Sequence, residues 1–442
     1  MNDIPTPSSI PGRRWHIAWL LGIGVLVNYF DRVNLSVSHD ALIATFGISN
    51  VVFGYLSSAY NWTYAACQLP IGVILDKFGV RRVGRVGAFL WSVASFAAAA
   101  TPNLGGFFGA RLLLGVGEAP IFPANAKAVG LWFPVQERSF ATSLFDGAAK
   151  FASAIGVPLI GFALLALGWR WSFALTGAIS LAYFFSFWRF YRDPEDDPRL
   201  SEAERLHILR DGAHPEPEGN GEPASSLWRL ICQPKVLGLT IGMGAYNYVF
   251  YLLLYWLPSY FSSALGIDMM HSFVDTSVPW LVATFADLAV GGWLVDLLIQ
   301  RGWNASAVRR FVLMGGTACG LGIFCASATH SAAQALAGIS LSIGGLSAAS
   351  AVVWSVPSLI AARSDVGKVG GIMNFSGQVS GIAASILTGY VVAAHHNNYA
   401  WAFGIAGAYL VIGLAAYFFL LGRIERPRRS KEAPGPVEGN PA

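Results

Sequence analysis

Seven ionisable side chains lie inside long apolar stretches of the chain, where a charge requires a partner or a function. A buried carboxyl can take up and release a proton, because burial can raise its pKa into the physiological range. A guanidinium stays charged at any working pH and binds a carboxylate through two parallel hydrogen bonds. These residue types therefore predict proton transfer and anion binding. The seven residues are Asp31, Arg32, Arg111, Glu118, Asp146, Lys150 and Asp287.

The spacing of four of these residues restricts how they can pair. Arg111 and Glu118 are seven residues apart, on one helix face but about 10 Å apart along the axis, so each needs a partner on another helix or a ligand. Asp31 and Arg32 are adjacent, point about 100° apart and do not pair. We expect Arg32 to bind a carboxylate, Asp31 and Glu118 to carry protons, and Arg111 to hold Glu118 until it is protonated. The alternative is a set of static ion pairs that lock the helices together.

The other three ionisable residues leave more alternatives open. Asp146 and Lys150 have the i,i+4 spacing of a local ion pair on one helix. Alternatively, Lys150 adds a second cation to a substrate cavity. Asp287 has no partner nearby in the sequence. It could be a third proton site, a counter-ion of Lys150 or part of the lining of a hydrated cavity.

The composition of the chain places these residues in a membrane. Of 442 residues, 54 % are hydrophobic and only 12 % are charged, against about 25 % charged in an average soluble domain. This excludes a disordered protein, a nucleic-acid-binding protein and an ordinary cytosolic enzyme. The lipid bilayer is the solvent that tolerates such a composition.

Twelve stretches are apolar and long enough to span a bilayer, which takes about 20 residues as a helix. The sequence therefore predicts an all-α membrane protein with twelve transmembrane helices. The stretches cover residues 15–37, 52–75, 83–100, 104–130, 141–165, 171–191, 237–261, 277–299, 311–327, 333–360, 367–394 and 401–421.

Lys and Arg set the expected orientation. With a cytoplasmic N-terminus, the six outer loops hold only Arg170 among all 29 Lys and Arg residues. The positive-inside rule therefore predicts that both termini are cytoplasmic. A polar segment at 192–235 divides the chain into six-helix bundles at 1–191 and 236–422, followed by a cytoplasmic tail at 423–442. Residues 200–209 of this linker could form a short amphipathic helix.

An internal repeat supports this division. Gly72 to Asp76 ends the second stretch with the pattern Gly-x-x-x-Asp, and Gly292 to Asp296 repeats the pattern at the end of the eighth. Asn28-Tyr29 recurs as Asn247-Tyr248, 48 and 49 residues before the respective Asp. Two such halves about an axis along the membrane normal are typical of a transporter in which the halves rock against each other.

The residues after the second stretch resemble the signature loop of the major facilitator superfamily. They read Gly-Val-Ile-Leu-Asp-Lys-Phe-Gly-Val-Arg-Arg from Gly72 onward. In that family the loop holds the cytoplasmic ends of the helices together, and its glycines permit close backbone contact. The resemblance implies a gating role for Gly72, Asp76, Gly79, Arg81 and Asp296.

Further motifs are similar to those of the anion:cation symporter family within that superfamily. They are Asn-Tyr-Phe-Asp-Arg at 28–32, Arg-Leu-Leu-Leu-Gly-Val-Gly-Glu-Ala-Pro-Ile-Phe-Pro at 111–123, Trp-Phe-Pro-x-x-Glu-Arg at 132–138 and the glycine-rich stretch at 367–377. Members of this family carry galactonate, glucarate, hexuronate, tartrate, phthalate or glutamate, and its bacterial members run as proton symporters.

The resemblance also implies substrate contacts. Tyr64, Trp354 and Asn374 match family positions that contact the substrate, and Tyr29 lies in the first motif beside Arg32. For Trp354 the alternative is an aromatic residue that packs the bundle. The amide of Asn374 needs a partner inside an apolar helix. The Asp146–Lys150 pair departs from the family pattern. The histidines of the outer loops are predicted to be solvated: His39, His271, His330, His395 and His396.

The sequence thus predicts a carrier of the bacterial inner membrane that takes up a small organic anion, such as a sugar acid, together with protons. No nucleotide-binding domain, metal cluster or catalytic triad is visible, so we expect neither an enzyme nor a cofactor. The expected partners are the anion, protons and the lipid bilayer, with no nucleic acid, and the expected state is a monomer. The alternatives are an efflux carrier for amphipathic compounds and a membrane receptor.

Overall fold

The first half of the chain is a bundle of long helices. A computed structural model describes residues 12–134, 137–210, 226–329, 331–361, 365–396 and 398–424. Every regular element among them is helical, which confirms the predicted all-α fold. The helices of the first half are α1 (Arg13–Val37), α2 (His39–Phe46), α3 (Asn50–Ala100), α4 (Leu104–Glu118), α5 (Ile121–Trp132), α6 (Arg138–Leu167) and α7 (Trp169–Phe190).

The linker and the second half are helical as well. The short helix expected within residues 200–209 is present as α8 (Glu202–Arg210). Three of the later helices contain or end in π-helical turns, at Tyr260–Ala264, Asp287–Leu294 and Tyr417–Leu421. The α-helical segments are α9 (Leu227–Ile231), α10 (Pro234–Ser259), α11 (Met269–Ala286), α12 (Val295–Gln300), α13 (Ala305–Gly320), α14 (Ile323–Ala328), α15 (Ala332–Val353), α16 (Val356–Ile360), α17 (Val366–Ala394) and α18 (Ala400–Ala416).

Nine helices in the described ranges are long and apolar enough to cross a membrane, or ten if the bent pair of α2 and the first part of α3 is one span. The two remaining predicted spans are α1 and the broken pair α4 and α5. Helix α1 holds Asp31 and Arg32, and the other pair holds Arg111 and Glu118 beside the break at Pro120. The two charges of α1 lower its apolar character, whereas α4 and α5, with 15 and 12 residues, are each too short to cross a membrane because the span breaks at Pro120.

Local signals in the sequence explain where the helices of the first half begin and break. The side chain of Ser49 accepts a hydrogen bond from the backbone N–H of Val52, and Asn103 caps α4 in the same way through Gly106. Within α3, Gly79 has φ +74°, a conformation that favours glycine, and divides the second span from the third.

Large apolar side chains cover the outside of the bundle. Phe311 and Phe419 are 79 % and 78 % exposed, and Trp293 and Phe285 are also mostly exposed. A soluble monomer rarely exposes so many large apolar groups. In a bilayer these side chains face lipid tails.

The two halves meet along three helix pairs, namely α1 with α10, α3 with α17 and α6 with α11. These contacts between the halves extend to the end of the bundle that the distribution of Lys and Arg predicts to face the outside of the cell. There a Cβ on Gly54 would lie 2.7 Å from the backbone oxygen of Ser385, and the Ser36 hydroxyl donates to the backbone oxygen of Tyr255 at 3.1 Å.

In the part of the chain that the structure describes, no such contact is found at the glycines of the predicted inner parts of α3 and α17. A Cβ added at Gly72, Gly370 or Gly371 would meet no atom within 4 Å. The expected close backbone contact at Gly72 is therefore not found among the described residues, and the gating role of Gly72 stays a prediction. Among the described residues, the halves make close backbone contacts at the predicted outer end, and Gly72, Gly370 and Gly371 make none at the predicted inner end.

Candidate functional site

The centre of the candidate site is an ion pair between α1 and α4. Arg32 Nε donates to Glu118 Oε2 at 3.1 Å, and the two side chains are 2 % and 0 % exposed. Glu118 thus has its partner on another helix, as the spacing requires. We expected Arg111 to hold Glu118, but the side chain bonded to Glu118 is that of Arg32. The crossing of α1 and α4, which the sequence does not specify, brings Arg32 to this carboxylate.

Three tyrosine rings surround the Arg32 guanidinium, and we call them the tyrosine cage. The Arg32 Cζ lies 4.5 Å from the ring centre of Tyr29, 4.6 Å from that of Tyr60 and 5.6 Å from that of Tyr64. The electron-rich faces of aromatic rings attract a cation, most strongly where water is excluded. The cage keeps Arg32 charged at a place where hydration cannot stabilise it.

Several buried polar atoms at this site make no hydrogen bond to a described residue. Arg32 Nη2, Arg111 Nε and Nη2, and Glu118 Oε1 have no hydrogen-bond partner among the described residues. Arg111 Nη1 reaches only the backbone oxygen of Asp31, at 3.4 Å. Buried polar groups in native proteins are almost always hydrogen-bonded. The spare N–H groups of Arg32 and Arg111 are donors of the kind that bind a carboxylate.

Asp31 points away from Arg32, into the interior of the first half. Its two carboxylate oxygens accept hydrogen bonds from the hydroxyls of Ser95 on α3, at 2.7 Å, and Ser180 on α7, at 2.9 Å. The side chain is 1 % exposed. Asp31 thus lies behind the Arg32–Glu118 pair and fixes α1 against two helices of its own half.

A cluster of amide and tyrosine side chains connects the two halves beside the tyrosine cage, and the sequence analysis missed most of it. Gln378 Oε1 on α17 accepts from Asn61 Nδ2 on α3 at 3.2 Å and from the Tyr251 hydroxyl on α10 at 3.1 Å. The Tyr255 hydroxyl donates to Asn61 Oδ1 at 3.4 Å. The rule that singled out Asn374, an amide inside an apolar helix, would also have found Asn61 and Gln378.

The three substrate contacts that the family resemblance implied lie at different places in the structure. Asn374 Nδ2 donates to Gln68 Oε1 on α3 at 3.1 Å, so it also bridges the halves. Tyr64 belongs to the tyrosine cage. Trp354 lies between α15 and α16 with 44 % of its surface exposed, and its role as a substrate contact stays a prediction.

Lys150 takes part in a second ionic cluster. Its Nζ lies 2.6 Å from Asp146 Oδ2 on the same helix and 3.4 Å from Asp287 Oδ2, which belongs to the second half. The local pair predicted from the i,i+4 spacing is therefore present. Asp287 therefore lies in contact with Lys150, while its Oδ1 has no hydrogen-bond partner among the described residues.

The residues of the predicted gating loop lie at the end of the molecule that the charge distribution predicts to face the cytoplasm. Arg81 pairs with Asp196 of the linker, with a distance of 3.5 Å between Nη1 and Oδ2. Asp296 is exposed. The side chain of Asp76 lies outside the described residues. Lys127 Nζ donates to the backbone oxygen of Leu75 at 3.1 Å, close to this loop.

One of the histidines predicted to be solvated is buried instead. His39 is 5 % exposed and packs edge-on against Phe53, and its ring nitrogens contact Asp40 and Asn50. The loop expected there is the helix α2, which folds His39 inward. His330 lies outside the described residues, and the other three are exposed.

Comparisons with known proteins decide the family. The family model described as Major Facilitator Superfamily matches residues 21–385. The chain belongs to the Major Facilitator Superfamily. This membership makes the chain a membrane carrier rather than an enzyme, as predicted.

Curated relatives confirm the resemblance to the anion:cation symporters. The chain is 37 % identical to the "Uncharacterized transporter YybO" of Bacillus subtilis, covering 94 % of this chain and 96 % of that protein. It is 31 % identical to the "D-galactonate transporter" of Escherichia coli O6:H1, covering 96 % and 99 %. It is 30 % identical to the "Probable galactarate/D-glucarate transporter GarP" of Escherichia coli K12, covering 95 % and 97 %.

A solved structure has the same fold. The crystal structure of a D-xylose–proton symporter matches with a TM-score of 0.72 at 16 % identity, covering 93 % of this chain and 99 % of the other. At this identity the similarity concerns the fold alone. It supports the arrangement of twelve helices in two bundles of the superfamily.

Proposed function

We propose that this carrier takes up a small organic anion together with protons across the bacterial inner membrane. The bundles at 1–191 and 236–422 move as bodies joined by the linker at 192–235, so the site opens alternately to each side. Both termini lie in the cytoplasm, and the carrier works as a monomer. The observation that carries the proposal is the buried Arg32–Glu118 pair with unused N–H donors on Arg32 and Arg111.

The geometry of this pair supports coupling between proton and anion. Glu118 and an incoming carboxylate compete for the same guanidinium. When Glu118 is ionised, Arg32 is engaged and its positive charge is neutralised. When Glu118 is protonated, its attraction to Arg32 weakens, and Arg32 can bind the carboxylate of the substrate. Protonation and anion binding therefore favour each other, which is the requirement for symport.

The surroundings of the pair favour a hydroxylated acid. The tyrosine cage and the amides of Gln68 and Asn374 offer hydrogen-bonding groups of the kind that bind hydroxyls. The relatives named for D-galactonate and for galactarate and D-glucarate carry sugar acids. We therefore propose a sugar acid as substrate, with its carboxylate on Arg32 and its hydroxyls toward Tyr29, Tyr64 and Asn374.

Uptake into proteoliposomes tests the proposal. We expect labelled D-galactonate or D-glucarate to accumulate faster at an acidic than at a neutral external pH. Glu118→Gln should abolish accumulation driven by the proton gradient and retain exchange of labelled for unlabelled substrate, because Gln mimics the protonated carboxyl. Glu202→Gln, on the exposed face of α8, is the control and should behave like wild type.

Two outcomes contradict the proposal. If Glu118→Gln still concentrates substrate along a proton gradient, Glu118 does not carry the coupled proton. If neither acid is taken up by the wild type, the assigned substrate class is wrong.

A further inference from the structure

The cluster of Lys150, Asp146 and Asp287, which we call the interface triad, joins the two halves near the middle of the candidate spans Phe140–Leu167 and His271–Gln300. Lys150 and Asp287 are each 3 % exposed, whereas Asp146 is 23 % exposed. The Lys150–Asp287 contact crosses from α6 to the π-helical turn at Asp287–Leu294. π-helical turns inside helices occur frequently at functional sites.

The charges of the interface triad do not balance. It contains one cation and two carboxyl groups, so with all three ionised it has a net charge of −1. The Arg32 site differs, because Arg32 and Arg111 there balance Asp31 and Glu118. A buried charge without compensation is costly, and a carboxyl in that position binds a proton instead.

Among the described residues of the elements packed against it, Asp287 faces no cation other than Lys150. Lys150 and Asp146 face it from α6, and the Tyr246 hydroxyl is within electrostatic reach from α10. Three further helices pack against this turn. Helix α15 has no titratable side chain in 332–353 and α11 has none in 276–286, whereas α12 has only the exposed carboxyl of Asp296. The excess negative charge is therefore not neutralised by another residue of the packed helices.

The proton belongs to Asp287 rather than to Asp146. Asp146 makes the shorter contact with Lys150, 2.6 Å against 3.4 Å, and its partial exposure allows some hydration. Asp287 has an oxygen, Oδ1, that is buried without a hydrogen-bond partner in the described structure. An unpaired carboxyl oxygen in an apolar environment is the atom most favoured by protonation.

We propose that Asp287 is a second proton-binding site of the carrier, protonated while it contacts Lys150 across the interface. When the halves separate at this level, Asp287 leaves Lys150 and is exposed to water, where it releases the proton. Each transport cycle then moves one proton more than Glu118 alone supplies. This count of protons rests on the proposed function, whereas the binding of a proton at Asp287 does not.

Infrared spectroscopy of the purified protein tests the site without a substrate. At neutral pH the wild type should show the C=O stretching band of a protonated buried carboxyl, and Asp287→Asn should lack one such component. Asp275→Asn, the same substitution on the same span, is the matched control and should retain it. If the spectrum of Asp287→Asn shows the same bands of protonated carboxyl groups as the spectrum of the wild type, the proposal is overturned.

A second variant and a measurement of the number of protons carried per anion test the proposal further. If Asp287→Asn does not fold, Asp287→Glu retains a carboxyl and should shift the frequency of the band; an unshifted band again overturns the proposal. Once an anion is transported, Asp287→Asn should carry one proton fewer per anion in reversal-potential measurements. An unchanged ratio overturns the coupling role. Absence of transport in the wild type would reject the proposed function and leave the infrared result standing.

Discussion

At the scale of single residues, Arg32 is the most constrained side chain of the site. It pairs with Glu118 through Nε, is enclosed by three tyrosine rings and has Nη2 unused. A guanidinium suits this position because its planar set of N–H groups can bind a carboxylate through paired hydrogen bonds, first that of Glu118 and then that of the substrate. An ammonium group has no such planar arrangement.

We therefore expect Arg32→Lys to impair uptake although the charge is kept. Hydrogen bonds to charged groups contribute about 1.5–3 kcal/mol each, so the loss of one should weaken anion binding roughly tenfold to a hundredfold. Arg32→Ala should abolish uptake while insertion and folding survive. Initial uptake rates at several substrate concentrations measure both effects.

The control for this prediction is Arg170→Lys. Arg170 donates to the backbone oxygen of Thr101 at the predicted outer end, away from the site. The Arg170→Lys variant should transport the anion like wild type. Normal uptake by Arg32→Lys would show that the paired geometry of the guanidinium is not needed.

At the scale of helices, the linker helix α8 stabilises the beginning of α1. Glu204 is fully buried and accepts hydrogen bonds from the backbone N–H groups of Arg13, at 3.1 Å, and Arg14, at 3.0 Å, and from Arg14 Nη1. The first N–H groups of a helix have no partner inside the helix, and a carboxylate there also interacts favourably with the helix dipole. The linker is thus part of the first bundle in this region.

Glu204→Ala should therefore destabilise the protein. The lost cap costs about 0.5–2 kcal/mol, and the buried Arg14 side chain loses a partner besides. We expect a lower Tm for the purified carrier than for wild type. Glu202→Ala removes an exposed carboxylate from the same helix and should leave the Tm unchanged. Equal Tm values for both variants would show that the cap is unimportant.

The neighbouring Glu137 makes part of this stability depend on pH. Partial burial raises the pKa of Glu137, but hydrogen bonds from Arg14 and His207 outweigh burial and hold the pKa below the usual carboxyl value. A lowered pKa in the folded state stabilises the protein above the ordinary carboxyl pKa of about 4.3. This contribution is lost as the pH falls through the lowered value.

We expect Glu137→Gln to have a lower Tm than wild type at pH 7. The difference should shrink below the ordinary carboxyl pKa and vanish once the carboxyl of the wild type is protonated. Tm measured for both proteins from neutral to acidic pH checks this. A difference that does not change with pH would mean that packing, rather than charge, makes Glu137 important.

At the scale of the whole molecule, close backbone contacts allow the halves to seal the predicted outer end. A Cβ on Gly54 would lie 2.7 Å from the backbone oxygen of Ser385, and one on Gly389 would lie 2.5 Å from that of Asn50. Because backbone atoms cannot move aside as a flexible side chain can, a larger residue there must separate α3 from α17. The conformation described here would lose stability relative to one open at the outer end.

Gly54→Leu should therefore favour the outward-open state. Overpacking costs about 1–3 kcal/mol, which shifts the population of the two states roughly fivefold to a hundredfold. In a background without native cysteines, Asn61→Cys should react faster with an impermeant thiol reagent when Gly54→Leu is present, and uptake should fall.

Gly404→Leu is the matched control, since a Cβ there meets no atom within 4 Å. It should change neither the labelling rate nor uptake. If Gly54→Leu leaves the labelling of the Cys at position 61 unchanged, the contact between Gly54 and Ser385 does not close the outer end.

The sequence by itself determined the membrane class, the twelve spans and the division into halves. These follow from properties that are local in the chain, since a span needs only enough consecutive apolar residues. It also singled out Arg32, Glu118, Arg111 and Asp31, because a charge inside an apolar stretch is conspicuous wherever the helix packs.

The tertiary structure decided which of these groups are partners. Arg32 rather than Arg111 bonds Glu118, Asp31 is bonded to two serines, and Asp287 reaches Lys150 across the interface. Asn61, Tyr251 and Gln378 acquire their connection only through the contact of α3, α10 and α17. Such pairs join residues far apart in the chain, and the crossing and rotation of whole helices determine them. No local pattern of residues encodes that geometry.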